Sequence, residues 1–261
     1  MRRTPAAVAL LMLLSVSACA EPDAKEATGN TDAAKATEDA VSNQEIAAYL
    51  DAIAADDPDE MESVRSESVE PGSLADAYLF HRIYSSNASS DAGFPSEGQE
   101  VKDVSDGYEL CATETVEGEE PCTKFTDFTS SNGKLADFKV GGKDLRERLS
   151  VGDGSKKSAG PLGSIEYLAA YQSVQSGALF VHTRIKTKDQ TIGGLYGVAR
   201  YRAPDGRQST ATDTWTPEEI EPDSLAYVTF IFERAKPGGR VTVPMADPDY
   251  TVERTVKFKT R

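Results

Sequence analysis

A change of hydrophobic period near residue 100 constrains this chain more than any other feature. Before it, apolar side chains recur at three- and four-residue spacing: Ile46, Tyr49, Leu50 and Ile53, then Met61 and Val64, then Leu74, Ala77 and Tyr78 with His81 on the same side. That spacing lays one face along a helix. Beyond residue 101 the period becomes two, as in Phe180-Val181-His182-Thr183-Arg184-Ile185-Lys186, the spacing of a strand with two unlike faces. Three helices followed by antiparallel strands give an α+β class.

Local signals set the boundaries. Ser42 with Glu45 three residues on has the form of a capping box and opens the first helix. Pro58, after the acidic pair Asp56-Asp57, opens a second short helix, and Pro71-Gly72-Ser73 break the chain before a third, expected over 74–84. Residues 85–100 are rich in Ser, Asn, Asp and Gly and read as a loop. Strands are expected at 107–113, 121–129 and 134–140, with Ser131-Asn132-Gly133 as a turn. The Gly-, Ser- and Lys-rich stretch 151–163 reads as a linker. Strands follow at 165–173, 180–186, 195–202, 207–214, 225–234, 240–245 and 251–259, with a turn at Pro204-Asp205-Gly206. That number of strands suggests an immunoglobulin-like β-sandwich over 164–261, without the Cys…Trp…Cys spacing of antibody domains. Phe180, Trp215, Phe230 and Phe232 are the expected anchors of its core.

The first twenty residues carry a second signal. Arg2 and Arg3 precede an uncharged apolar run from Pro5 to Leu14, too short to span a bilayer, which takes about 20 residues. Val16-Ser17-Ala18-Cys19 resembles the lipobox of bacterial lipoproteins. The resemblance implies a signal peptide over 1–18, a diacylglycerol thioether on Cys19 and an extracytoplasmic, membrane-anchored protein. Residues 19–42 are Ala, Thr, Asp, Glu and Lys with almost no large apolar group, the composition of a disordered tether. Its coil reach would be roughly 25–30 Å.

The net charge of −15 is unevenly placed: residues 20–160 carry −18 and residues 161–261 carry +1. So acidic a chain argues against nucleic acid as partner, since phosphate binding needs a basic surface. Of three cysteines, Cys111 and Cys122 remain after Cys19. An even pair on adjacent strands of an exported chain favours a disulfide.

Phe125-Thr126-Asp127-Phe128, Asn132-Gly133-Lys134-Leu135-Ala136-Asp137-Phe138 and Val140-Gly141-Gly142-Lys143-Asp144-Leu145 together resemble the strand-turn-strand stretch of NTF2-like lipoprotein domains. The likeness covers residues 43–150 and implies helices wrapped by a curved sheet into a cone. At fold level, the C-terminal sandwich resembles modules of actinobacterial surface lipoproteins. In a cone, Tyr78 and His81 on the third helix and Asp127 and Asp137 on neighbouring strands form the candidate pocket. His81 is the candidate acid or base, the two aspartates candidate paired carboxylates. His182, on an alternating strand without metal partners, reads as a surface residue. No G-x-S-x-G, G-x-x-x-x-G-K-[ST], H-E-x-x-H or calcium-loop pattern occurs, so no catalytic constellation, metal or cofactor is implied. These features point to a non-catalytic binding protein that holds a small apolar ligand or an envelope protein. A cone-fold isomerase or hydrolase and a purely structural envelope protein are the alternatives.

Overall fold

The computed structural model describes residues 41–94, 98–113, 122–195 and 197–260. The expected signal peptide, Cys19 and nearly all of the expected tether fall outside these residues. Ser42 caps the first helix, α1 (Asn43–Ala55). Its hydroxyl accepts the Glu45 N–H at 3.2 Å, and the Glu45 carboxylate accepts the Ser42 N–H at 2.9 Å. The exchange satisfies two N–H groups that a helix start leaves open. α1 stops where Asp56 turns left-handed (φ 54°). Asp57 then caps α2 (Pro58–Ser68), where Pro58 sits in the first turn and needs no N–H. Ser73 caps α3 (Leu74–Asp91). This helix runs seven residues beyond its expected end at Tyr84, through a Ser- and Asn-rich stretch of weak helix formers. Tertiary contact holds it there: the Asp91 carboxylate accepts the Tyr227 N–H at 2.7 Å, and the Tyr84 ring stacks on that of Tyr227.

Among the described residues every pairing between two strands is antiparallel, and Val69 makes an isolated parallel bridge to Leu135. The first sheet has the order β1 (Gln99–Val104), β2 (Gly107–Ala112), β3 (Cys122–Ser131), β4 (Lys134–Val140). β1 begins at the end of the expected loop 85–100 and was not among the expected strands; it is a charged edge strand whose side chains are half-buried or exposed. β3 and β4 are joined through Asn132 and Gly133, both at positive φ, as a two-residue hairpin turn requires. Cys111 lies directly opposite Cys122 and is disulfide-bonded to it. The helices pack on one face of this sheet. Tyr49, Leu50, Ile53, Met61 and Leu79 meet Leu110, Phe125, Leu135 and Phe138, all buried. Tyr78 stands edge-on to both Phe125 and Phe138.

The rest of the chain forms two further sheets. One has the order β11 (Asp213–Trp215), β12 (Leu225–Phe232), β8 (Leu179–Lys186), β7 (Ser164–Gln172), β5 (Leu149–Val151), with β6 (Lys156–Ser158) also on β7. The other runs β10 (Gln208–Thr210), β9 (Arg200–Arg202), β13 (Arg240–Ala246), β14 (Glu253–Lys259). They share a core of Ile165, Leu179, Val181, Val228, Phe230 and Phe232 from the first with Tyr201, Val241, Val243 and Phe258 from the second. The expected linker 151–163 is ordered instead: it carries β6 and a 3-10 turn at Gly160–Leu162. Its Lys- and Ser-rich composition is that of an exposed edge strand. The expected strand at 207–214 divides into β10 and the start of β11.

The larger sheet is covered on both faces, which places the site. One face packs on the second sheet and the other on α3. Alternation assigns Val181, Thr183 and Ile185 of β8 to the sandwich and Phe180, His182 and Arg184 to the helix side. β7 changes face midway. Tyr167 pairs with Thr183 and Ala169 with His182, so Leu168 is an extra residue, a β-bulge. Without it Tyr171 would share the face of Tyr167, which stacks on Phe258 inside the sandwich. With it Tyr171 turns toward α3.

Candidate functional site

α3 presents Tyr78, His81, Arg82 and Ser85 at the three- and four-residue spacing of a single helix face, and all four line a cleft of about 210 Å³. Leu110 and Phe125 of the first sheet form part of its wall. Tyr171, Phe180 and Trp215 of the larger sheet form the other part, and Thr123 and Gln175, hydrogen-bonded to each other, lie at its edge. A volume of ~150 Å³ holds a benzene molecule, and drug-sized ligands take ~300 Å³ or more. The cleft therefore suits a molecule slightly larger than one aromatic ring.

Both histidines of the chain meet beside this cleft. His81 Nδ1 lies 2.7 Å from His182 Nε2, and His182 Nδ1 lies 2.8 Å from the Thr229 hydroxyl. His81 is 5% exposed and His182 1%, so His182 is not the surface residue that alternation suggested. The strand does alternate, but its outward face is covered by α3. Burial pushes the His182 imidazolium down to about 3. Burial, then the neighbouring His182 and the Arg82 charge, hold His81 well below the ordinary histidine range. Both rings are therefore neutral at physiological pH.

Two neutral imidazoles and a hydroxyl in series have two hydrogen-bond arrangements. In one, Thr229 donates to His182, His182 donates to His81, and His81 Nε2 carries a proton it can donate. In the other, each bond reverses and His81 Nε2 accepts. The Nε2 edge can therefore meet a donor or an acceptor. The Tyr171 ring lies 4.3 Å from the His81 ring, and Tyr78 stands edge-on to both. Burial raises both phenols, Tyr171 further through the nearby Tyr78, so both stay protonated. Arg82 binds Asp56 at 3.1 Å and the Ile53 carbonyl at 3.4 Å, tying α3 to the end of α1. Its Nε is buried without a partner among the described residues.

Of the expected pocket residues, Tyr78 and His81 line the cleft; Asp127 and Asp137 are not among its lining residues. Asp127 sits at a bulge in β3 with φ 55°, where its exposed carboxylate pairs with Lys139 at 2.7 Å. Asp137 pairs with Arg146 at 2.5 Å and accepts the Phe138 N–H at 2.8 Å. Each carboxylate thus has its own cation and does not share a site with the other. Phe230 and Phe232 anchor the sandwich as expected, but Phe180 and Trp215 face the cleft, their rings 5.8 Å apart. Among the described residues, Glu109, Cys111 and Cys122 are grouped closely enough for a metal, but both sulfurs are committed to the disulfide.

His182, Thr229, Tyr171 and Arg82 are the members that sequence reading missed. The one available signal was numerical: a chain of this length with only two histidines places one on a helix face and one on a strand. Compared with known proteins, the chain matches no protein family, no curated protein and no solved structure.

Proposed function

We propose that this protein is a cell-envelope lipoprotein, anchored to the outer face of a membrane through diacylglycerol on Cys19. Its folded part is a non-catalytic binding protein: an NTF2-like helix-and-sheet unit followed by an immunoglobulin-like sandwich, with a small ligand held in the cleft beside His81. The anchor rests on the Val16-Ser17-Ala18-Cys19 sequence after an apolar run too short to cross a bilayer. No described helix is long and apolar enough to cross a membrane.

The observation that carries the binding reading is the neutral His81–His182–Thr229 series beside an aromatic-walled cleft. Burying these polar groups is costly unless each has a partner, and His182 has used both nitrogens where His81 has used one. A ligand with one polar group on a small apolar body completes His81 and fills the ring-lined volume. A buried Arg82 Nε without a partner favours an acceptor on that ligand.

Native mass spectrometry of the protein extracted from its own membrane tests both parts. The expected spectrum shows a diacylglycerol adduct lost in Cys19→Ala, and a small adduct weakened in His81→Phe. An adduct that survives His81→Phe unchanged, or a clean apo mass under conditions that preserve known complexes, would refute the ligand site. Palmitate label absent from the wild-type chain would refute the anchor.

A further inference from the structure

The sheet farthest from the cleft carries a feature that ligand binding there does not use. On β9, β13 and β14 the inward residues Tyr201, Val241, Val243 and Phe258 are buried, and Arg200, Arg202, Arg240, Lys257 and Lys259 are exposed on the other face. Strand register puts them in two rows. Arg202 is opposite Arg240, which is opposite Lys259; two residues along, Arg200 and Lys257 flank Thr242. The first row sets three cations side by side on adjacent strands, an arrangement that destabilises a sheet. Among the described residues none of these five cations is in an ion pair, whereas Arg65, Arg82, Arg146, Arg184 and Arg207 all are. This predominantly basic field, bordered by Asp153 in an adjoining cleft shared with Arg240, Lys257 and Lys259, stands on a chain of net charge −15.

We propose that this face is a docking surface for the phosphate headgroups of an anionic phospholipid bilayer. The five cations line an open groove of about 510 Å³. They spread in two dimensions, over three strands ~4.8 Å apart and two rows ~7 Å apart. A planar array of charges complements a planar array of headgroups better than one strand of a linear polyanion. No aromatic ring points outward from β9, β13 or β14, so the face lacks the stacking platforms by which proteins hold single-stranded nucleic acids. No apolar side chain larger than Pro244 accompanies the cations, so the contact is electrostatic, reversible and salt-dependent. Docking by this face would fix the orientation of the sheet against the bilayer.

Vesicle sedimentation of the full chain beside its Arg202→Ser/Arg240→Ser/Lys259→Ser variant tests the proposal. Both carry the same N-terminus, so any contribution of Cys19 or the apolar leader cancels. On phosphatidylglycerol vesicles at low salt, each cation near the surface is worth about 5-fold in affinity, so the variant binds roughly 100-fold more weakly. On phosphatidylcholine the two bind equally, and at high salt the difference on phosphatidylglycerol closes. The variant melts no earlier than the wild type, because opposed like charges have been removed. Should it melt earlier, Arg200→Ser/Lys257→Ser in the neighbouring row serves instead, with about a 25-fold loss. Equal binding of wild type and variant to phosphatidylglycerol overturns the proposal and leaves the lipid anchor standing. So does displacement of the wild type from vesicles by soluble polyphosphate at matched phosphate concentration, which would make the partner a linear polyanion.

Discussion

Moving from pH 7 to pH 5 should weaken this fold through two side chains. His182 is neutral in the folded chain with its imidazolium pushed down to about 3, and His81 is depressed in the same direction. In the unfolded chain each titrates near 6.5. The folded state therefore refuses protons that the unfolded state takes up, and stability rises with pH wherever the unfolded state binds more. Above 6.5 both states are neutral and the two histidines contribute no pH dependence. Below it, each costs the fold 1.36 kcal/mol per pH unit until its folded value is reached. At pH 5 the unfolded histidine is almost fully charged, so the His182 site loses about 2 kcal/mol relative to pH 7, and His81 adds a loss of the same sign. A domain is commonly stable by only 5–15 kcal/mol.

Urea unfolding at pH 7.0, 6.0 and 5.0 reads this directly, and carboxylates contribute little above pH 5. The control is His81→Gln/His182→Gln, which keeps amides of similar reach and removes the titration. Wild type is expected to lose at least about 2 kcal/mol across the range and the double variant less than ~1 kcal/mol. Each single variant should retain part of the slope. Equal slopes in wild type and double variant would show that the pair is accessible to protons in the folded state, and the argument that it is sealed between α3 and β8 would fail. An NMR titration in which His182 shifts near pH 6 would refute it by a second route.

Three further outcomes follow from the packing. Reducing the Cys111–Cys122 bond, which closes a short loop on adjacent strands, should cost about 3 kcal/mol in urea unfolding; a stability unchanged by dithiothreitol would sink the cross-link. Phe138→Ala removes a fully buried ring that meets those of Tyr49, Tyr78, Phe125 and Phe128, and should cost about 3–5 kcal/mol with the far-ultraviolet circular dichroism at pH 7 unchanged. Gly163→Ala places a methyl 2.1 Å from the Lys186 carbonyl oxygen at φ 120°. It should lower stability by at least about 2 kcal/mol, whereas Gly177→Ala, with open space around it, should cost less.

The helical part of the fold was legible because its signals are local. Capping residues, Pro58 and the three-to-four spacing mark α1 and α2 to within a residue or two, and none depends on a distant partner. α3 shows where local reading ends. Its last turns are Ser and Asn, and they stay helical because Asp91 and Tyr84 are held by Tyr227, some 136 residues later in the chain. The site was half legible for the same reason. Tyr78 and His81 could be assigned to one face from periodicity alone. His182 could not be assigned correctly, because alternation distinguishes two faces of a strand but does not say what covers each. Asp127 was misplaced by a bulge, and Tyr171 faces the cleft because of another. Each bulge is a single extra residue that reverses every side chain beyond it.

The same logic explains why the extent of the basic face is not legible in the sequence. Arg200, Arg202 and Arg207 flank one hairpin and could face an anionic polymer or headgroup, although a solvated strand face is the commoner reading of that pattern. Their significance lies in register: Arg240 and Lys259 lie 38 and 57 residues after Arg202 in the sequence, and only strand pairing sets the three in one row. The neutral His pair and the charged row are opposite uses of strand pairing. In one, a covered face strips two ionisable groups of their charge; in the other, an open face holds three charges together at a cost. A sheet that tolerates Arg202, Arg240 and Lys259 in line, on a chain otherwise rich in carboxylates that could have neutralised them, keeps that field available to a partner outside the chain. Replacing Thr242, which stands between Arg200 and Lys257, with Glu would test this from the other side. The new carboxylate should raise the melting temperature by relieving repulsion, a gain of a few tenths to about 1 kcal/mol, while weakening binding to anionic vesicles. If stability does not rise, the cations are already screened by solvent and the cost assigned to the row is not real.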